Sequence, residues 1–210
     1  AQTDYEERAL YVTHGVTGAL PPGRNAIGVM LGDGWYNQDE VWNHPGQNAP
    51  PYGPPRLLLQ LEAESEDGRH ETIATDGSWR CHPGPVVRSN VYLGERHDAR
   101  REVAGWSEPG LDESDWLPVE SSEAPGGRLE SQQLPPIRRT QKVETVAIRQ
   151  MLSDRWVVDF GQNFAGWVRL RVDDAPRGIE IKLRFAETTY DYDGMIDPAS
   201  MGTFALHGDP

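Results

Sequence analysis

Residues 56–74 read RLLLQLEAESEDGRHETIA, and this stretch decides the fold class. Two runs of β-forming character, Arg56 to Glu64 and His70 to Ala74, flank the turn signal Glu66-Asp67-Gly68. Apolar and polar side chains alternate within these runs, which is typical of strands that turn one face toward a core. Asp and Gly favour a tight reversal of the chain. The stretch therefore predicts two strands joined by a turn.

Short β-rich runs between Gly, Pro and Asp recur along the chain, and no long segment keeps a helical period. The further predicted strands are Arg8 to Thr13, Ala26 to Leu31, Val86 to Tyr92, Val143 to Arg149, Arg155 to Phe160, Gly166 to Val172, Ile179 to Phe185 and Thr203 to Leu206. The fold class expected is all-β. Prolines resist both helix and central strand, so the Pro- and Gly-rich residues 124–127 and 134–137 indicate a seam between two domains, residues 1–133 and 134–210.

Composition narrows the classes of partner. The chain has 210 residues, with 33 acidic against 20 basic, and its formal charge of −13 repels phosphate backbones and argues against a nucleic-acid partner. Nowhere does it approach the run of about 20 apolar residues that a membrane span needs. The single cysteine, Cys81, excludes an internal disulfide and is interpreted as packing. The first residues include neither Met nor a signal peptide, so we expect a part of a longer protein, and both cytoplasm and secretion remain open.

The candidate binding site is the long connection from Gly32 to Pro55, which far exceeds the usual length of about 4–6 residues. Long loops on rigid β scaffolds often carry function. Aromatic faces can stack on the apolar patches of a sugar, whereas Asp and Asn oxygens can hold hydroxyls or a calcium ion. The predicted carbohydrate-binding residues are Trp35, Asn37, Trp42, Asn43 and Tyr52. The candidate calcium ligands are Asp33, Asn37, Asp39 and Asn90, although the loop lacks the ligand spacing of a known calcium loop.

Two plainer interpretations stand beside these. Trp35 and Tyr36 follow a predicted strand directly and could cap a hydrophobic core instead of contacting a ligand. Glu95 and Asp98 could form the carboxylate pair that a glycosidase needs, but the neighbouring arginines would keep both ionised and leave no proton donor. The His, Ser and Gly patterns match no common metalloprotease, hydrolase or nucleotide-binding motif. No catalytic residue is therefore predicted in this chain.

A set of motifs in fixed order carries a family resemblance. Residues 32–36 read GDGWY, residues 92–100 read YLGERHDAR, and they are followed by Gly105-Trp106, by residues 112–116 (DESDW) and by Pro135-Pro136-Ile137. A second block, residues 156–170, reads WVVDFGQNFAGWVRL, and residues 184–187 read RFAE. Together they resemble the non-catalytic β-sandwich modules of bacterial α-L-rhamnosidases, and the match covers nearly the whole chain.

The resemblance implies both fold and function. Residues 1–133 would form a jelly-roll-like carbohydrate-binding β-sandwich that lacks some N-terminal strands, and residues 134–210 would form a concanavalin-like supporting sandwich that is incomplete at its C-terminus. The parent protein would be an inverting glycoside hydrolase that removes terminal α-L-rhamnose with carboxylates of a separate (α/α)6 barrel. This part would be inactive alone and would bind or orient rhamnosides, with Ca²⁺ as the implied cofactor. Its partners would be a rhamnose-containing carbohydrate and the catalytic domain of the same enzyme.

Two alternatives remain at this point. The region could be a structural scaffold that holds the catalytic barrel and binds no sugar. The segment from Met195 to Gly202 also departs from the Arg-rich strand that many relatives carry there, so a rhamnose-directed lyase remains open for the parent. Exposure of the loop aromatics Trp35, Trp42 and Tyr52 around a polar concavity would favour sugar binding over the scaffold.

Overall fold

The computed structural model describes residues 3–37, 52–65, 67–91, 94–189 and 195. The chain divides into two compact units, Ala1–Pro135 and Pro136–Pro210. Apart from two single 3-10 turns, Thr17–Ala19 and Ala99–Arg101, the regular structure of the described residues consists of β-strands. The all-β prediction is confirmed. None of the helical structure in these residues has the length and apolar character that a membrane crossing requires.

The strands of the first unit are β1 (Arg8–Tyr11), β2 (Gln60–Glu64), β3 (His70–Ala74), β4 (Arg80–Cys81), β5 (Val86–Asn90), β6 (Gly94–His97), β7 (Leu117–Pro118) and β8 (Arg128–Ser131). The second unit holds β9 (Ala147–Leu152) and β10 (Arg155–Asp159). Within the described part of the chain they pair two by two, as β1–β8, β2–β3, β4–β7, β5–β6 and β9–β10. Only β1 and β8 run parallel, and the other four pairs are antiparallel.

The hairpin predicted from residues 56–74 is present as β2–β3. Leu61 pairs with Ile73 across the two strands, and Leu61 and Ala63 are less exposed than the polar residues that alternate with them. Gly68 takes a φ of 79°, which a glycine adopts without steric cost, and its N–H donates to the Ser65 carbonyl oxygen at 2.9 Å. Local sequence therefore determines this element.

The parallel pair β1–β8 joins distant parts of the sequence. Arg8 lies opposite Arg128 in the register, and the Arg128 N–H donates to the Glu7 carbonyl oxygen at 3.0 Å. Gly127 comes so close to the preceding turn that a methyl group on its Cα would lie 2.5 Å from both the Arg8 nitrogen and the Tyr5 carbonyl oxygen. Glycine is thus required here for close approach of two backbones.

Three predicted strands are wrong in the described residues. Residues 26–31, 166–172 and 179–185 form no strand. A β-forming segment, whether it alternates as residues 179–185 do or is continuously apolar as residues 26–31 are, does not by itself supply the hydrogen-bonding neighbour that a strand needs. In residues 26–31, the backbone at Gly28 lies against the side-chain ring of Trp106. The predicted strand Thr203 to Leu206 lies outside the described residues.

Apolar packing in the described residues is partial. None of their apolar side chains is fully buried, and the one buried residue among them is Asn90, 5% exposed, at the end of β5. In the hairpin β9–β10 the face that carries Ile148, Trp156 and Val158 is exposed, whereas Met151 and Val157 on the other face are half-buried. The second unit thus presents an apolar face of its sheet.

Candidate functional site

The two ends of the long connection meet at a pair of tyrosines. The Tyr52 N–H donates to the Tyr36 carbonyl oxygen at 2.9 Å, and the two rings stack with their centroids 5.4 Å apart and their planes inclined by 23°. Offset stacking of this kind adds about 0.5–1.5 kcal/mol beyond the area that the rings bury. The base of the predicted loop is therefore closed by one backbone hydrogen bond and one ring stack.

A third tyrosine from the N-terminal turn completes an aromatic cluster. The Tyr5 ring meets Tyr36 and Tyr52 edge-on, with centroid distances of 5.2 and 5.1 Å. Tyr5 lies in the turn before β1, where the Arg8 N–H donates to the Asp4 carbonyl oxygen at 2.8 Å. Burial of the phenol raises the pKa of Tyr5 above its ordinary value of 10.0, and the two neighbouring phenols raise it further. We call Tyr5, Tyr36 and Tyr52 the tyrosine cluster.

An open concavity of about 450 Å³ lies beside the tyrosine cluster. Its walls are Glu6, Tyr36, Tyr52, Arg56, Pro125 and Gly126. The Arg56 guanidinium lies 6.0 Å from the Tyr36 ring centroid, at the limit of a cation–π contact, and its Nη1 donates to the Glu123 carbonyl oxygen. The concavity thus combines aromatic rings with one acidic and one basic residue.

The predicted carbohydrate-binding residues fall into three groups. Trp35 and Tyr52 are 39% and 38% exposed, so neither ring is withdrawn into a core, and Tyr52 lines the concavity. Asn37 is half-buried and folds back on the turn, because its Nδ2 donates to Asp33 Oδ1 at 2.7 Å and its N–H to the Asp33 carbonyl oxygen at 3.0 Å. Trp42 and Asn43 lie outside the described residues.

The candidate calcium ligands are only partly brought together. Asp33 and Asn37 are in contact, and Gly32 lies beside Ser89, so that the turn begins next to the buried Asn90. Asp39 lies outside the described residues. Calcium takes about six to eight oxygen ligands, and the Asp33–Asn37 pair offers too few by itself. Across the part of the chain that the structure describes, no three His, Cys, Asp or Glu residues cluster as a metal site would require. Calcium binding stays a prediction.

The charged segment after β6 behaves as the sequence predicts. Asp98 caps the 3-10 turn by accepting the Arg100 N–H at 3.2 Å, and it receives two further bonds of 2.7 Å from the Arg100 side chain. This pairing lowers the pKa of Asp98 to about 2. A carboxylate that stays ionised at neutral pH cannot donate a proton, so Asp98 does not qualify as a general acid.

Of the six wall residues, sequence reasoning predicted Tyr52 and missed the other five. Glu6 comes from the turn before β1, Tyr36 and Arg56 come from the two ends of the connection, and Pro125 and Gly126 lie just before β8. No local pattern predicts their meeting. The only available signal was the aromatic and charged character of residues flanking the loop and the first strand.

Comparison with known proteins confirms the resemblance noted from the motifs. The family model of the alpha-L-rhamnosidase N-terminal domain matches residues 1–141, and that of the bacterial alpha-L-rhamnosidase concanavalin-like domain matches residues 149–204. An alpha-L-rhamnosidase of Formosa agariphila is 35% identical over 176 residues, which cover 83% of this chain and 18% of that protein.

Solved structures agree with the sequence matches. The alpha-L-rhamnosidase from Dictyoglumus thermophilum superposes with a TM-score of 0.82 at 38% identity, over 98% of this chain and 22% of that one. The Streptomyces avermitilis alpha-L-rhamnosidase complexed with L-rhamnose superposes with a TM-score of 0.81 at 33% identity, over 97% of this chain and 19% of that one. The chain thus spans about a fifth of the length of the relatives that it matches.

Proposed function

Because the chain belongs to the α-L-rhamnosidase family, we propose that it is a non-catalytic accessory region of an α-L-rhamnosidase and that it binds or orients rhamnosides. The parent protein would remove terminal α-L-rhamnose from glycosides or polysaccharides. The Streptomyces avermitilis relative, whose structure was solved with L-rhamnose, supports rhamnose as the sugar. The part of the relatives that this chain does not match, about four-fifths of their length, would carry the catalytic groups.

The observation that carries this proposal is the exposure of two loop aromatics, Trp35 and Tyr52, of which Tyr52 lines the concavity. Trp35 and Tyr52 each keep more than a third of their surface accessible, and the concavity adds an acidic and a basic residue, Glu6 and Arg56, to the aromatic wall. Sugar recognition needs both features, since ring C–H groups pack on aromatic faces and hydroxyls pair with charged or amide groups.

The described residues offer nothing comparable for hydrolysis. A glycosidase needs one carboxyl group that stays protonated and a second that is ionised, on either side of the scissile bond. The one acid among the described residues whose pKa departs far from its ordinary value, Asp98, is shifted down, toward permanent ionisation. The chain alone is accordingly proposed to be inactive.

A structural scaffold for the catalytic domain is the second candidate. The exposed apolar face of the β9–β10 hairpin favours it, with Ile148 and Val158 directly opposite each other in the register and Trp156 two residues along the strand. Ile148, Trp156 and Val158 are 65%, 56% and 45% exposed. Contiguous apolar surface of this kind marks a contact with another protein surface. The two roles belong to different units and are compatible with each other.

Isothermal titration calorimetry with L-rhamnose tests the proposal directly, first in calcium and then in chelator. We expect heat of binding, and a loss of that heat on chelation would establish the calcium requirement. Trp35→Ala should weaken binding about fivefold, the equivalent of about 1 kcal/mol for one aromatic contact. Trp167→Ala, which removes another exposed Trp from the second unit, is the matched control and should leave the affinity unchanged. No heat in either buffer would leave only the scaffold role.

A further inference from the structure

The two ends of the long connection hold each other by few contacts. Among the described residues these are the hydrogen bond of 2.9 Å from the Tyr52 N–H to the Tyr36 carbonyl oxygen, the stack of the two rings, and the Arg56 guanidinium 6.0 Å from the Tyr36 ring centroid. Neither tyrosine belongs to a strand, so no sheet ladder reinforces the junction. Because closing a long loop costs conformational entropy, we expect a junction of this kind to open more readily than the paired strands.

Tyr5 is the residue that contacts both ends. Its ring meets the Tyr36 ring at a centroid distance of 5.2 Å with the planes inclined by 70°, and the Tyr52 ring at 5.1 Å with the planes inclined by 88°. Edge-on rings attract each other beyond the area that they bury, because the positive edge of one faces the negative face of the other. Two of the three ring contacts in the tyrosine cluster therefore involve Tyr5.

The turn that carries Tyr5 is fixed without help from the connection. The Glu7 and Arg8 N–H groups both donate to the Asp4 carbonyl oxygen, at 3.1 and 2.8 Å. At the far end of the turn the Arg128 N–H donates to the Glu7 carbonyl oxygen at 3.0 Å, which ties the turn to β8. The Tyr5 ring is thus held in place before the two ends of the connection pack against it.

The Tyr5 ring makes these contacts, and the hydroxyl is not needed for them. In the part of the chain that the structure describes, the hydroxyl has no hydrogen-bond partner. Burial raises the pKa of the Tyr5 phenol above its ordinary value of 10.0, which agrees with a ring partly withdrawn from water between two others. Phenylalanine should therefore replace Tyr5 without loss of the contacts, whereas alanine should remove both.

We propose that Tyr5 is a conformational clasp: its ring holds Tyr36 and Tyr52 together, and the base of the connection opens as one unit when the ring withdraws, while the paired strands stay formed. Tyr5 is in this sense a positioning residue that acts through the other two tyrosines. This role does not depend on sugar binding, because it concerns how the connection is held and not what it binds. The N-terminal turn would thereby control a segment that it meets only in the folded chain.

Hydrogen exchange of single backbone amides, followed by NMR on the whole chain, tests the clasp. The Tyr52 amide reports on the junction, and the Thr75 amide, which donates to the Leu59 carbonyl oxygen at 3.0 Å beside the β2–β3 hairpin, reports on the rest of the unit. In Tyr5→Ala the Tyr52 amide should exchange about tenfold faster through local opening, because two ring contacts are lost. The exchange of Thr75 should not change.

Two matched variants separate the ring contacts from other effects. Tyr5→Phe keeps the ring and should exchange at the wild-type rate. Tyr11→Ala removes an exposed tyrosine of β1 that lies outside the tyrosine cluster, and it should leave the Tyr52 amide unchanged.

The remaining outcomes would overturn the clasp. Equal acceleration of Tyr52 and Thr75 in Tyr5→Ala, or failure of this variant to fold, would show that Tyr5 supports the whole unit and not the junction alone. A Tyr52 amide that is unprotected in wild type, or that keeps its rate in Tyr5→Ala, would show that the Tyr5 ring does not hold the ends together. Acceleration in Tyr5→Phe equal to that in Tyr5→Ala would assign the effect to the hydroxyl.

Discussion

Gly127→Ala should destabilise the first unit strongly, and the same substitution at the neighbouring Gly126 provides the control. The new methyl group would lie 2.5 Å from the Arg8 nitrogen and the Tyr5 carbonyl oxygen and 2.8 Å from the Glu7 carbonyl carbon. All three are backbone atoms, so no side-chain rotation can relieve the overlap. The chain must instead move apart at β1–β8, where the Arg128 N–H bonds the Glu7 carbonyl oxygen.

The magnitude follows from three contributions. Forcing a methyl group into filled space costs about 1–3 kcal/mol, and losing one backbone hydrogen bond costs about 1 kcal/mol more. The reduced flexibility of the unfolded chain offsets about 0.5 kcal/mol of this. We expect a net loss of about 2.5 kcal/mol in the free energy of unfolding, or roughly 8 °C in Tm for a unit of this size.

Urea denaturation, followed by tryptophan fluorescence, measures the change. The midpoint should fall for Gly127→Ala at an unchanged slope, since a changed slope would indicate a different unfolded state. Gly126→Ala is the matched control, because its methyl group would lie 3.7 Å from the Glu6 carbonyl oxygen, in ordinary contact. Equal midpoints for the two variants would refute the close approach of β8 to the N-terminal turn.

Three further outcomes are expected. Gly28→Ala should lower the free energy of unfolding by about 1–3 kcal/mol, since its methyl group would lie 2.5 Å from the Trp106 ring, and chemical denaturation measures this. Ultraviolet titration should place the pKa of Tyr5 above 10.0. The folded state then holds the phenol proton of Tyr5 more tightly than the unfolded chain does. The stability that this difference contributes is therefore complete below pH 10 and is lost as the pH rises through the raised pKa of the folded state. NMR titration should place the pKa of Asp98 at about 2, well below its ordinary 3.8, so the stability it contributes with Arg100 is present above pH 3.8 and is lost as pH falls toward 2.

The tertiary contacts place the predicted site residues differently from one another. Trp35 and Tyr52 are exposed, and Tyr52 lines the concavity. The capping interpretation concerned Trp35 and Tyr36, and of these Tyr36 is half-buried against the Tyr5 and Tyr52 rings. Trp42, Asn43 and Asp39 lie outside the described residues, and their roles stay predictions. Asp33 and Asn37 contact each other, which their spacing of four residues within one turn made predictable.

The sequence by itself determined the elements that form between near neighbours. The hairpin β2–β3 and the ionised Asp98 both follow from residues a few positions apart, because alternation, turn chemistry and adjacent charge act over that range. The motifs in their fixed order also determined the family. The sequence did not determine strand pairing over long distances, and residues 179–185 alternate as a strand does without being one.

Only the tertiary structure decided what meets at the concavity. Three parts of the chain meet there: Tyr5 and Glu6, the two ends of the connection, and residues 125 and 126. These parts lie about 30 to 120 positions apart along the chain. The parallel pair β1–β8 brings the first and the last of them together. A residue pattern records the face on which a side chain stands, but not the partner that folding places opposite it. Which segments pair depends on the entropy cost of closing long loops and on backbone fit at single positions. Gly127 is such a position, because its close contact with Tyr5 and Arg8 exists only when β8 and the N-terminal turn have come together.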